Sequence, residues 1–269
     1  MFEPTQELID VVMNFDEKIL FSKVSVERIR DELCKILEKG NVNMFIKSGF
    51  IGKIIPEFKE FTNKPFEQHE LDHICRVILN ARESKDVGFM VAALFHDSGK
   101  AFKGSFTESK NRWQFIEHEL KSVDIIKTNM ERLKFSTKEI KRVEFIVRHH
   151  MFIKFEHKDL TTIKFILRNP SELIKDVIKF NRFDWMGKTP EEQIKLDVLN
   201  KQGKIEKLME QWINAVETIK IHFSADLKAI SEKISNNPKI PMNERGLHIL
   251  TDKANFIKRK AAELHMIKI

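Results

Sequence analysis

The chain has 269 residues, enough for one large domain or two small ones with a core that needs no covalent staples. Its two cysteines exclude a disulfide framework. Basic residues outnumber acidic ones by 47 to 40, and the net charge of +7 is spread along the chain. That suits an anionic partner without demanding one, because lysines on solvated helix faces give the same total.

The amino terminus is acidic where a secretory leader is basic, and the longest apolar run, Val87–Phe95, is too short to span a bilayer. These features predict a cytoplasmic protein with no membrane association. Cys34 and Cys75 sit among apolar neighbours and read as buried free thiols.

Only 9 Gly and 7 Pro punctuate the chain, and apolar residues recur at three- and four-residue spacing nearly throughout. An all-α chain without paired strands is expected. Ser25 caps a helix whose Ile29, Leu33, Ile36 and Leu37 share a face, with Gly40 just beyond its end. The stretch "VNMFIKSGFIGKIIPEF" breaks into short pieces at Gly49, Gly52 and Pro56. A helix over residues 65–82 carries His69 and His73, and one over Val87–Phe95 ends at His96 and Asp97. A helix over 113–130 carries His118, and the capping-box pattern from Ser136 to Glu139 opens another that ends at His149 and His150.

Next comes "SELIKDVIKFNRFDWMGK", with Asp184 near its helix end, then a long helix from Thr189 and Pro190 to about Phe223. Its Trp212, Ile213, Val216 and Ile219 form a core stripe. The polar linker "SNNPKIPMNERG" leads to a basic last helix bearing Lys258, Arg259 and Lys260. Three consecutive segments follow: N-terminal helices over 1–62, a histidine-bearing domain over 63–223 and a C-terminal helical extension over 224–269.

An isolated His-Asp pair carries little weight, and its context decides. His73, His96, Asp97, His118, His149, His150 and Asp184 form an ordered series on successive helix ends. Imidazole with carboxylate suits Mn, Fe, Co, Ni or Zn, and the lack of thiolates argues against a structural zinc site. One aspartate can bridge two ions about 3.5 to 4 Å apart, the spacing used in phosphoryl chemistry. A helix carboxyl end, with roughly half a negative charge, favours a cation there, so a metal explains why a greasy helix runs into His96 and Asp97. Gly99 allows a tight turn after them, Lys100 lies close enough to meet a phosphate, and Arg148 is a second candidate phosphate clamp. His69, one turn before His73, is its rival or supports it from behind. His157, His222, His248 and His265 fall outside the series.

On these residues the chain resembles the HD-domain metal-dependent phosphohydrolase superfamily, with "AALFHDSGK" close to the central signature. The resemblance implies an all-α HD bundle in which His73, His96, Asp97 and Asp184 hold one metal and Asp97, His118, His149 and His150 a second. Asp97 and Lys100 would then be the catalytic residues, Lys100 and Arg148 would meet substrate, and Mn, Ni, Co or Fe, with Mg as an alternative, would be the cofactor.

Upstream, "SVERIRDELCKIL" with "SGFIGKIIPEF" resembles the neck of bacterial CCA-adding tRNA nucleotidyltransferases that carry an HD domain, though their catalytic head is missing here. The implied activity is 2′,3′-cyclic phosphodiesterase or phosphatase action on a phosphorylated small molecule, a nucleotide or RNA termini, by attack of metal-activated water. The alternatives are a nucleoside triphosphate or alarmone hydrolase on the same site, and a noncatalytic tRNA-binding remnant.

Overall fold

The computed structural model describes residues 14, 16–152, 157–195 and 198–267. The acidic amino terminus lies outside them, as do residues 196 and 197 within the expected long helix. Fifteen α-helices are seen among the described residues: α1 Glu17–Lys23, α2 Val26–Lys39, α3 Val42–Lys47, α4 Ile51–Ile54, α5 Glu67–Ala81, α6 Val87–Phe95, α7 Lys100–Lys103, α8 His118–Arg132, α9 Thr137–His149, α10 Asp159–Arg168, α11 Ser171–Met186, α12 Pro190–Lys195, α13 Val198–His222, α14 Ser224–Ser235 and α15 Met242–Glu263. The fold is all-α apart from one two-stranded hairpin, and no described helix is long and apolar enough to cross a membrane.

The caps follow from local chemistry. Ser25 accepts a hydrogen bond from the Arg28 amide at the start of α2, and Ser136 and Glu139 form the reciprocal pair that opens α9. At the start of α12, the Thr189 hydroxyl accepts from the Glu192 amide while the Glu192 carboxylate accepts from the Thr189 amide.

Two compact units result, one over residues 1–152 with 179–196 and the other over 153–178 with 197–269. This partition differs from three consecutive segments, because the chain leaves the first unit and returns to it. The first unit is built around α6, from which Phe89 to Phe95 are all buried. A helix apolar on every side must be enclosed, and α2, α5 and α9 pack around it. In the second unit α10, α13 and α14 pack around α15, with Ile163, Trp212, Ile213, Val216, Ile219 and Ile257 in the core.

The sequence reading is corrected at residues 104–115. A helix over 113–130 is not what forms: strand β1 (Gly104–Thr107) pairs antiparallel with β2 (Arg112–Phe115), in the register Gly104 to Phe115, and the helix begins only at His118. The aromatic side chains account for it, since Trp113 and Phe115 both meet Phe66 edge-on, at 5.0 and 4.9 Å between ring centres. Alternate residues on a strand reach one face together, which helical spacing does not allow. Asn111, left-handed at φ 45°, closes the turn.

Burial pushes both cysteine thiols up to about 11. At pH 8 only about one thousandth of such a thiol is thiolate. Native protein treated with Ellman's reagent should therefore show almost no reaction, while unfolded protein shows two thiols; rapid labelling of the native protein would contradict this burial.

Candidate metal centre

Six side chains converge in the first unit. His73 comes from the middle of α5; His96 and Asp97 follow the last turn of α6; His118 is the first residue of α8; His150 caps α9; Asp184 lies near the end of α11. All six are buried, with His96, His150 and Asp184 at 0% exposure. Ionisable groups are almost never buried this completely without partners or a metal.

The histidines are oriented by backbone carbonyls. Nδ1 of His73 faces the Gly187 carbonyl at 3.1 Å, that of His96 the Ala93 carbonyl at 2.9 Å, that of His118 the Phe115 carbonyl at 2.7 Å and that of His150 the Val147 carbonyl at 2.6 Å. A carbonyl only accepts, so Nδ1 carries the hydrogen in each ring and Nε2 presents a lone pair. Burial pushes the His73 pKa down, which keeps that ring neutral with a single proton.

All four lone pairs point at carboxylate oxygens or at each other. Asp97 Oδ2 lies 3.1 Å from His96 Nε2 and 3.5 Å from His73 Nε2, while Oδ1 lies 3.1 Å from His118 Nε2 and 3.8 Å from His150 Nε2. Asp184 Oδ1 is 3.1 Å from His73 Nε2 and 4.0 Å from His96 Nε2. His73 Nε2 and His96 Nε2 are themselves 3.3 Å apart.

Two ligand sets therefore share one aspartate: His73, His96 and Asp97 on one side, and Asp97, His118 and His150 on the other. Neither Asp97 Oδ1 nor His118 Nε2 makes a hydrogen bond, although they are 3.1 Å apart. Acceptors that close repel unless a cation stands among them, and an all-imidazole and carboxylate set suits a divalent transition metal. The donor chemistry fits such a group.

Lys100 is held beside the donor sets by two carboxylates. Its ammonium is 2.8 Å from Asp97 Oδ2 and 2.7 Å from Glu70 Oε2, and it lies over the Phe115 ring at 5.2 Å. Burial alone would lower its pKa, but Asp97 and Glu70 together raise it above the usual lysine value. Asp97 shows the converse balance: burial works to protonate it, and the Lys100 ammonium 2.8 Å away works to keep it ionised, below the usual carboxylate range. Glu70, 3% exposed, went unnoticed in the sequence; its signal is its place on α5 one turn before His73, on the same face. His69 hydrogen-bonds this Glu70 at 3.2 Å, which connects it to Asp97 through Glu70 and Lys100.

His149 is a correction. Adjacent helix positions point about 100° apart, so His150 takes the inward direction and His149 belongs to neither donor set among the described residues. Its ring instead lies against Phe145 at 4.5 Å, and burial beside Arg148 pushes its pKa down to about 4. Arg148 is exposed at the end of α9.

Supporting contacts also escaped the sequence. Ser122 Oγ accepts from the Gly99 amide and donates to the His96 carbonyl, both at 2.9 Å, which ties α8 to the end of α6. Gly99 has an ordinary φ of −67°, so turning is not its purpose. A side-chain carbon there would sit 2.1 Å from the His118 carbonyl oxygen, so glycine is what lets α8 approach. Asn181 donates to the His150 carbonyl at 3.2 Å, and Arg76 donates to the same Gly187 carbonyl that orients His73.

Among known families, the HD domain matches residues 71–209, a span that holds all six convergent side chains. No curated protein matches the chain. Metal analysis of two variants checks the geometry. His149→Ala should keep the wild-type stoichiometry, whereas His150→Ala should lose about one ion per chain and weaken retention about 10- to 100-fold. Equal losses in the two variants would contradict the placement of His149.

Proposed function

The chain belongs to the HD-domain family, and from that membership we propose that it hydrolyses phosphoesters of nucleotides or RNA termini with divalent metals held between its two donor sets. In this reading His73, His96, Asp97 and Asp184 hold one ion, and Asp97, His118 and His150 the other. The observation that carries it is the division of the Asp97 oxygens, Oδ2 towards His73 and His96 and Oδ1 towards His118 and His150. When bound, ions in such a set lower the pKa of water and neutralise phosphoryl oxygens.

The chain's own residues do the rest. Asp97, held ionised, fixes the spacing of the two sets and is the nearest carboxylate to take a proton from attacking water. Lys100 keeps its positive charge and, leaning from Glu70, sets that charge where negative charge grows on the phosphoryl group. The backbone carbonyls hold each imidazole in one tautomer, so none has to reorient during reaction. The edge of His96 on Phe180, at 5.6 Å, closes the inner wall with an apolar ring.

Support for cyclic phosphodiesters or monoesters comes from the second donor set, and support for RNA ends from the nucleotidyltransferase-like stretches over residues 25–37 and 48–58 alone. With His149 outside, the second set has three donors, which favours the single-ion nucleoside triphosphate or alarmone hydrolase as the next reading. A panel of 2′,3′-cyclic nucleotides, monophosphates, triphosphates and alarmones, run with Mn, Ni, Co, Fe and Mg on metal-analysed samples, separates the two. We expect turnover of cyclic or monoester substrates, lost about a thousandfold in Asp97→Ala and about tenfold or more in Lys100→Met. Turnover of triphosphates alone with one ion would select the second reading, and RNA binding with no turnover in any metal would leave only a noncatalytic tRNA-binding role.

A further inference from the structure

Within the second unit an open groove of about 620 Å³ lies between α14 and α15, bordered by the ends of α10 and α13, with Arg168, Lys220 and Lys228 exposed on its rim. Its size falls within the range of small-molecule sites, roughly 300 to 1,000 Å³. Two helices turn matching stripes towards it: Ser224, Leu227, Lys228 and Ser231 from α14, and Gly246, Ile249, Leu250 and Lys253 from α15. Both follow the spacing i, i+3, i+4, i+7, so each is a single helix face.

The lining of this space has a consistent chemistry. Leu167, Leu227, Ile249 and Leu250 supply an aliphatic surface, while Arg168, Lys220, Lys228 and Lys253 supply four cations, and no acidic residue lines the space. Lys228 meets Glu232 at 3.7 Å on the exposed surface, a pair worth little. Arg168, Lys220 and Lys253 make no ion pair among the described residues. Like charges gathered around one concavity repel one another, and an anion within it relieves that repulsion.

Gly246 lies within the first turns of α15 on the exposed rim of this space, and a side-chain carbon there would meet nothing within 4 Å. A larger side chain at this position therefore has room to enter the space without displacing a neighbour.

We propose that this groove binds a small amphiphilic anion, a phosphate or carboxylate head on an aliphatic body, with Arg168, Lys220 and Lys253 around the head and the leucines and isoleucine against the body. The site belongs to the second unit and uses none of the metal-centre residues, so it is independent of the hydrolase reading.

Calorimetric titration of the full chain with octyl phosphate tests it, with inorganic phosphate and octyl glucoside as arms for head and body alone. Saturable binding should appear for octyl phosphate at least about tenfold tighter than for either arm. It should weaken at least about tenfold in the Arg168→Glu, Lys253→Glu double variant and in Gly246→Leu, which fills the space, and persist in Asp97→Ala, which removes the bridging carboxylate of the metal centre. Circular dichroism melting checks that each variant is folded; if the double variant is not, Gly246→Leu decides. The proposal is overturned by no saturation up to about 1 mM, by binding that survives the groove variants, by binding that vanishes in Asp97→Ala, or by phosphate alone binding equally well. Displacement of the probe by a single-stranded RNA oligonucleotide would assign the cations to a nucleic-acid surface instead.

Discussion

Everything at the centre of the first unit depends on one carboxylate. Asp97 is 1% exposed and faces four imidazole lone pairs, two on each oxygen, with Lys100 as the one fixed positive charge paired with it among the described residues. A buried anion among acceptors is an unfavourable arrangement on its own terms, and the desolvation involved is of order several kcal/mol. Divalent ions convert the same arrangement into a favourable one, since each lone pair then has a cation to meet. On the proposed function, metal affinity and stability of this unit are coupled, because the candidate ligands come from elements between α5 and α11 that are far apart in the chain.

The surrounding structure serves that carboxylate. The all-apolar α6 drives its own burial and carries Asp97 inward with it. Ser122 and Gly99 seat the amino end of α8 against the end of α6, which brings His118 to the second oxygen. The hairpin is part of this: the Phe115 carbonyl at its end orients His118, and the Phe115 ring covers Lys100. A segment that looked like the beginning of a helix is thus the piece that fixes a ligand and screens a charge.

Much of this was legible because it is periodic or local. The helices follow apolar spacing, the caps at Ser25 and Ser136 follow from nearby side chains, and the His and Asp series is visible without a structure. What escaped reading is what tertiary contact decides. Trp113 and Phe115 pair as a strand because Phe66, distant in sequence, offers an aromatic surface. Glu70 carries no local mark of its role, because its partner Lys100 lies far along the chain. The separation of His149 from His150 is the exception, since the apolar spacing of Val143, Ile146 and Val147 already turns His150 inward and His149 about 100° away, and His150 alone of the two enters a donor set among the described residues. The space that α14 and α15 line with the ends of α10 and α13 depends on residues distant in the chain and is visible only in three dimensions.

The most direct measurement is X-ray diffraction from crystals grown with Mn or Fe, with data collected at the metal absorption edge. The account predicts two anomalous peaks flanking Asp97, each about 2.0 to 2.3 Å from one of its oxygens, one beside the Nε2 atoms of His73 and His96 and the other beside those of His118 and His150. A map with no peak among these side chains, or with metal bound away from Asp97, would contradict it.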